Sequence, residues 1–188
     1  MAPRSCPSNG WVRSEACSLE AAAARMKQTT EVIGKMPGTP KQVVEALLKD
    51  TTNELALREL CARDLTYVSL NYSNPDLKKV MPWCGTGKGV RAIVDTFRKV
   101  SEYWIIDTFN PQFIFGEGEK VAVFGDFTYT SRKLRKQVRT PFAIFCRVED
   151  GKLTYMQFME DTFCTAASFR SGGVWRFQSD PGGGEVEV

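Results

Sequence analysis

Histidine is absent from all 188 residues of the chain. That gap removes the commonest general base, the Ser-His-Asp and Cys-His nucleophile pairs, and every histidine-containing zinc site. Acid–base chemistry must then use Asp, Glu, Tyr, Lys or Cys. Long apolar runs are missing too. The longest span a few residues, such as Ala21 to Ala24, far short of the roughly 20 that cross a bilayer or of a signal-peptide core. The expectation is a cytoplasmic protein with no membrane partner. Charge of one sign is scarce: 25 Lys and Arg face 22 Asp and Glu, a net charge of +3. A nucleic-acid partner is not expected, because its footprint is a clustered basic excess. Closely spaced cysteines are lacking as well. Cys6, Cys17, Cys61, Cys84, Cys146 and Cys164 lie too far apart in sequence for a zinc knuckle or redox pair. They read as reduced thiols, with Cys61 and Cys146 inside apolar patterns.

What is present is one globular domain with terminal additions, since 43% hydrophobic content excludes a collagen or a wholly disordered chain. Residues 1–38 read as a tail followed by a helical extension over Ser18 to Lys35, with Ser18 as N-cap and Gly34 and Pro37 near its end. The main domain, residues 39–170, opens at Thr39-Pro40-Lys41-Gln42, a capping box with proline at the first helical position. Val43, Val44, Leu47 and Leu48 form the first apolar stripe. A second short helix starts at Asn53 and is expected to end at Asp64, before the strand LTYVSL. Residues 71–89 read as an irregular loop, and a third helix carries Val90, Ile93, Val94, Phe97, Val100 and Trp104. Four long strands follow, near residues 109–115, 121–130, 137–148 and 153–162, joined by hairpin turns such as GEGE and EDGK. Residues 171–188 read as a Gly-rich tail. The fold class is α+β, with helices covering one face of a mostly antiparallel sheet.

The segments TPKQVVEALL, LRELCARDLTYVSL, GTGKGVRAIVDTF and DGKLTYMQFMEDTFCTAASF resemble the SnoaL-like branch of the nuclear transport factor 2-like superfamily, over residues 39–170. The resemblance implies a cone of three helices on a curved sheet, here with an extra N-terminal helix. It leaves activity open, because the superfamily holds ketosteroid isomerases, polyketide cyclases, epoxide hydrolases, dehydratases and non-catalytic binders. Alignment with the carboxylates of the isomerases and cyclases puts Ser69, Ile144 and Phe158 at their positions, so those acids are missing. An Asp-Arg-Asp arrangement of the epoxide-hydrolase type finds no counterpart.

Strand alternation supplies a separate candidate. Met156, Phe158 and Glu160 share one face of the last long strand. Partial burial of Glu160 would raise its pKa and suit it to proton transfer. Its bland reading is a solvated strand end or an Arg partner. Tyr67 and Ser69 alternate along LTYVSL and Asn71 extends their face, so the three converge on a ligand unless they are a core Tyr and a polar strand end. Tyr129 lies opposite Asp126 in alternation, and Tyr67, Asn71 and Tyr129 are expected to hold a substrate oxygen. Trp83, Trp104, Ile144, Met156 and Phe158 are expected to wall the cavity, although core packing uses the same residue types. Asp161 is better explained as a helix cap. The basic run Arg132-Lys133-Leu134-Arg135-Lys136 reads as a solvated turn, with attraction of an acidic partner or phosphorylated ligand as the alternative. These readings point to an enzyme without metal or organic cofactor that isomerises, cyclises, dehydrates or hydrates a hydrophobic polyketide or terpenoid intermediate. The alternative is a non-catalytic ligand-binding or interaction domain. Large residues on both faces of the long strands further imply a homodimer, the alternative being that Trp11, the helix from Ser18 and Val174 to Phe177 fold over the sheet within one chain.

Overall fold

The computed structural model describes residues 38–188. The helix expected over Ser18 to Lys35 lies outside the described residues. Helix α1 (Pro40–Lys49) begins as its sequence dictates. The Thr39 hydroxyl accepts from the Gln42 N–H at 3.3 Å and the Gln42 carboxamide oxygen accepts from the Thr39 N–H at 3.0 Å. Its buried residues are Val43, Val44 and Leu47. Helix α2 (Glu54–Leu60) is capped by the Asn53 side chain, which accepts from the Ala56 N–H.

Strand β1 runs Cys61–Ser69, so α2 ends four residues earlier than expected and CARD belongs to the strand. No Gly or Pro marks this boundary, and the change from helix to strand is made by pairing. The stretch expected as an irregular loop holds helix α3 (Pro75–Val80) and strand β2 (Gly85–Lys88). Helix α4 (Gly89–Tyr103) packs Ile93, Val94 and Val100 inward. It ends one residue before Trp104, which opens β3 (Trp104–Glu117) rather than closing the helix. Strands β4 (Lys120–Ser131), β5 (Gln137–Glu149) and β6 (Lys152–Glu160) complete the meander.

The sheet order is β2-β1-β6-β5-β4-β3. Every neighbouring pair is antiparallel except β1 with β6. Register shifts in β3, between Ile106 and Thr108 and again between Pro111 and Phe113, are the kind of irregularity that bends a sheet. The core fills the space between this sheet and the helices, with Leu47, Leu57, Leu65, Met81, Ile93, Phe127, Leu153 and Met156 almost wholly buried. Helix α5 (Thr162–Ala167) follows β6, capped by the Asp161 carboxylate, which accepts from the N–H groups of Phe163 and Cys164. The C-terminal residues, expected as a tail, fold into a small hairpin of β7 (Arg176–Phe177) and β8 (Val186–Glu187). Trp175 and Phe177 pack there on Phe163, and the Arg170 guanidinium lies 5.1 Å from the Trp175 ring. Among the described residues no helix is long and apolar enough to cross a membrane.

Candidate active site

Two neighbouring strands bring the polar candidates together. Tyr67 and Ser69 on β1 stand beside Met156 and Phe158 on β6 in parallel register, and Glu160 ends β6 two residues further on. Helix α4 closes the space with Thr96, Phe97 and Val100, while Trp83, Trp104 and Tyr129 wall the remaining side. The result is a cavity of about 20 Å³. That is room for a water molecule or two rather than for a substrate. On one side, across Phe97, Val100 and Tyr129, lies a recess of about 160 Å³ lined also by Thr51, Thr52, Ser101 and Phe109.

Of the residues singled out in sequence, Tyr67, Ser69, Trp83, Trp104, Tyr129, Phe158 and Glu160 all line this cavity. Three do not. Ile144 and Met156 are buried core residues behind it. Asn71 fails to extend the Tyr67–Ser69 face because Leu70 has φ +63°, which breaks strand alternation. Its amide oxygen instead accepts from the Ser73 N–H at 3.0 Å in an exposed turn. Thr96, Phe97 and Val100 were not singled out as site residues; the only sequence signal for Phe97 and Val100 was the apolar period of α4, and Thr96 had none.

Glu160 dominates the electrostatics. One of its carboxylate oxygens, Oε1, is buried without a hydrogen-bond partner among the described residues. Burial raises its pKa from 4.5 to about 7, the Asp161 carboxylate adds to the rise, and the Thr165 hydroxyl partly offsets it. The carboxylate therefore exchanges its proton near neutrality. The Tyr67 and Tyr129 hydroxyls are pushed well above their usual range, first by burial and then by the Glu160 charge. Both remain protonated donors at neutral pH. Cys61 and Cys146 are buried, and burial pushes each thiol up to about 12, which leaves them protonated and unreactive. Among the described residues no three His, Cys, Asp or Glu side chains gather as a metal site.

The aromatic wall is continuous. Phe158 stacks on Phe142 at 5.5 Å, and Phe142 stacks on Phe109 at 4.6 Å. On the opposite side Trp104 contacts Trp83, Tyr129 and Phe169 with ring centroids 4.6 to 5.8 Å apart. The Trp104 indole N–H donates to the buried Ser168 hydroxyl at 3.1 Å, which ties β3 to the end of α5. The arrangement is a small aromatic chamber holding one titratable carboxyl group and two hydroxyl donors.

Residues 42–156 match the model of the SnoaL-like domain. Patulin synthesis protein F of Aspergillus clavatus is 46% identical over 132 residues, spanning 68% of this chain and 67% of that protein. Patulin biosynthesis cluster protein F of Penicillium expansum is 42% identical over 136 residues, spanning 70% of this chain and 68% of that protein. Among solved structures, a nuclear transport factor 2-like protein from Burkholderia thailandensis superposes with a TM-score of 0.60 at 24% identity, covering 70% of this chain and 98% of its own. That likeness is one of fold.

Proposed function

The chain belongs to the SnoaL-like domain family and has the nuclear transport factor 2-like fold, and from that premise we propose that it is a cofactor-independent acid–base enzyme of secondary metabolism. Its substrate is a compact, apolar, oxygen-bearing molecule, and its reaction belongs to the isomerase, cyclase or dehydratase class. The names of the two fungal relatives, which tie them to patulin synthesis, support the pathway part of this reading.

The observation that carries the proposal is the unpartnered Oε1 of Glu160 in an aromatic chamber. A buried polar atom without a partner costs on the order of 1–3 kcal/mol. A carboxylate kept at that cost beside two hydroxyl donors suits a group that handles protons rather than one that stabilises the fold. In this reading ionised Glu160 takes a proton from the substrate, and Tyr67 and Tyr129 donate hydrogen bonds to the oxygen where negative charge develops. The protonated carboxyl then returns the proton at a second position or to a leaving oxygen. Substrate reaches these groups from the recess behind Phe97, whose ring must turn, because the cavity alone is too small to admit it.

The experiment is to delete the gene, purify the compound that accumulates, and incubate it with the protein. Conversion is expected to fall by about a hundredfold or more in Glu160→Gln and by about tenfold in Tyr129→Phe. Full-rate conversion by Glu160→Gln overturns the proposal. A second reading, a binding module, draws on the missing carboxylates at Ser69, Ile144 and Phe158. Recovery of the compound unchanged from the wild-type protein, at a saturable affinity, selects it.

A further inference from the structure

A second recess, of about 570 Å³, opens on the far side of the aromatic wall. Its size falls within the roughly 300–1,000 Å³ of small-molecule sites. Tyr103 and Phe169 form its floor, with Val80 and Leu134 at the sides. Tyr103 and Val80 are 38% and 39% exposed, a large open apolar surface for such residues. The floor is backed by the Glu160 cavity. Tyr103 meets Trp83 edge to face at 5.2 Å, and Phe169 stacks on Trp104 at 4.6 Å.

The rim is basic, and the turn that carries it is held in place. Arg132 and Lys133 come from the turn between β4 and β5, which is pinned on three sides. The Arg132 backbone N–H donates to the Tyr103 carbonyl at 2.9 Å, its Nε donates to the Ser101 carbonyl at 2.9 Å, and Lys136 Nζ donates to the Arg170 carbonyl at 2.7 Å. These bonds set the turn against the end of α4 and the segment after α5. Neither Arg132 nor Lys133 joins an ion pair among the described residues. Of the other charges lining the recess, Lys79 is already paired with Asp76 at 2.7 Å, and Glu102 is the opposing carboxylate.

We propose that this recess is a second small-molecule site, for a flat apolar ligand bearing one acidic group. Its ring lies on Tyr103 and Phe169 while its carboxylate meets Arg132 and Lys133. A neutral ligand leaves Arg132 and Lys133 outside any ion pair, whereas a carboxylate gains charge-assisted hydrogen bonds from them. The proposal goes beyond the proton-transfer reading and does not depend on Glu160.

The test uses the full chain at low ionic strength, with 1-naphthoate and its neutral isostere 1-naphthamide as probes. Naphthoate is expected to shift the methyl resonances of Val80 and Leu134 saturably while leaving those of Leu57 and Val148, deep in the core, unmoved. It is expected to bind about tenfold more tightly than the amide, and Lys133→Glu, on an exposed turn, is expected to remove that difference. Glu160→Gln is expected to bind naphthoate like the wild type even if it converts no substrate, which separates this proposal from the enzymatic one. Unmoved Val80 and Leu134 methyls, equal affinity for acid and amide, or a Lys133→Glu variant that keeps the preference each overturns it.

Discussion

Glu160 and Phe142 stand directly opposite each other across β6 and β5. The Phe142 ring lies within the stack that runs from Phe158 to Phe109, so the carboxyl group emerges at the end of an aromatic surface. Burial is the main cause of its raised pKa, with the Asp161 charge adding to it.

Because the native pKa of Glu160 is raised from 4.5 to about 7, the folded state holds a proton that the unfolded state releases. The associated stability is fully present below about pH 4.5 and is lost as pH rises through about 7, a change of roughly 3 kcal/mol at about 1.4 kcal/mol per unit. Glu160→Gln cannot titrate. Its stability relative to the wild type is expected to increase from pH 4.5 to 8 and to level off above that, measured by urea denaturation at each pH. A difference that stays flat across this range removes the buried titration.

Asp161 gives a way to move the same titration in the catalytic assay. Its charge adds to the raised pKa of Glu160, and its side chain caps α5 through the N–H groups of Phe163 and Cys164. Asn retains the capping oxygen and drops the charge. If ionised Glu160 is the base, kcat/KM falls on the acid side of about pH 7, and Asp161→Asn is expected to carry that limb to lower pH with little loss of stability. An unmoved limb assigns it to another group.

Much of this geometry was legible in the residues, for identifiable reasons. The Thr39–Gln42 box declares its helix because both partners of the cap lie within three residues. Met156, Phe158 and Glu160 share a face because β6 keeps its alternation to the end. The inward Phe127 and Tyr129 follow from the same rule in β4, leaving Asp126 outside with Arg139. The rule fails where a single dihedral angle breaks it, as at Leu70, and Asn71 is lost from the site for that reason. Trp104 was misplaced because an aromatic residue four positions after Val100 fits a helical period as well as the first position of a strand. The basic turn read as a solvated tip, since its three pinning bonds join residues distant in sequence to backbone carbonyls that no side-chain pattern announces.

The bond from the Trp104 indole to Ser168 is buried at both ends. Ser168→Ala leaves the N–H without a partner in an aromatic surrounding, which is expected to destabilise the domain by about 1–3 kcal/mol. Trp104→Phe with Ser168→Ala is expected to cost less than the two single changes together, because the orphaned donor is then absent. Additivity in the denaturation cycle would show that the bond contributes nothing of its own.

Gly125 sits between β3 and β5, where a Cβ would lie 2.2 Å from the Asn110 carbonyl oxygen and 2.8 Å from the Phe142 ring. The carbonyl belongs to a paired strand and cannot retreat cheaply. Gly125→Ala is expected to cost about 1–3 kcal/mol as overpacking, and to displace Phe142 from its stack. Near-ultraviolet circular dichroism reads the second effect separately from the loss of stability, and a variant with wild-type values in both measurements contradicts the crowding.

The outer face of the sheet leads to the last prediction. Phe113 and Phe124 are paired across β3 and β4, and Phe115 stacks on Phe124 at 5.8 Å. Phe113 is 62% exposed and Phe115 57%. Ala143 and Met159 continue the Phe113–Phe124 row across β5 and β6, giving an apolar band of the kind that soluble chains rarely leave open. Trp175 and Phe177 are packed on Phe163, while Trp11 and the helix expected from Ser18, the other cover weighed, lie outside the described residues. We propose that a second copy of the chain does. The band is bordered by the Asp126–Arg139 pair, so the border carries both signs, and a two-fold axis can set one copy's acid near the other's base. Phe124→Lys places a charge in the middle of the band without touching the core. Sedimentation equilibrium at micromolar concentration is expected to give twice 21.1 kDa for the wild type and 21.1 kDa for the variant, and a wild type that sediments at 21.1 kDa rejects the dimer.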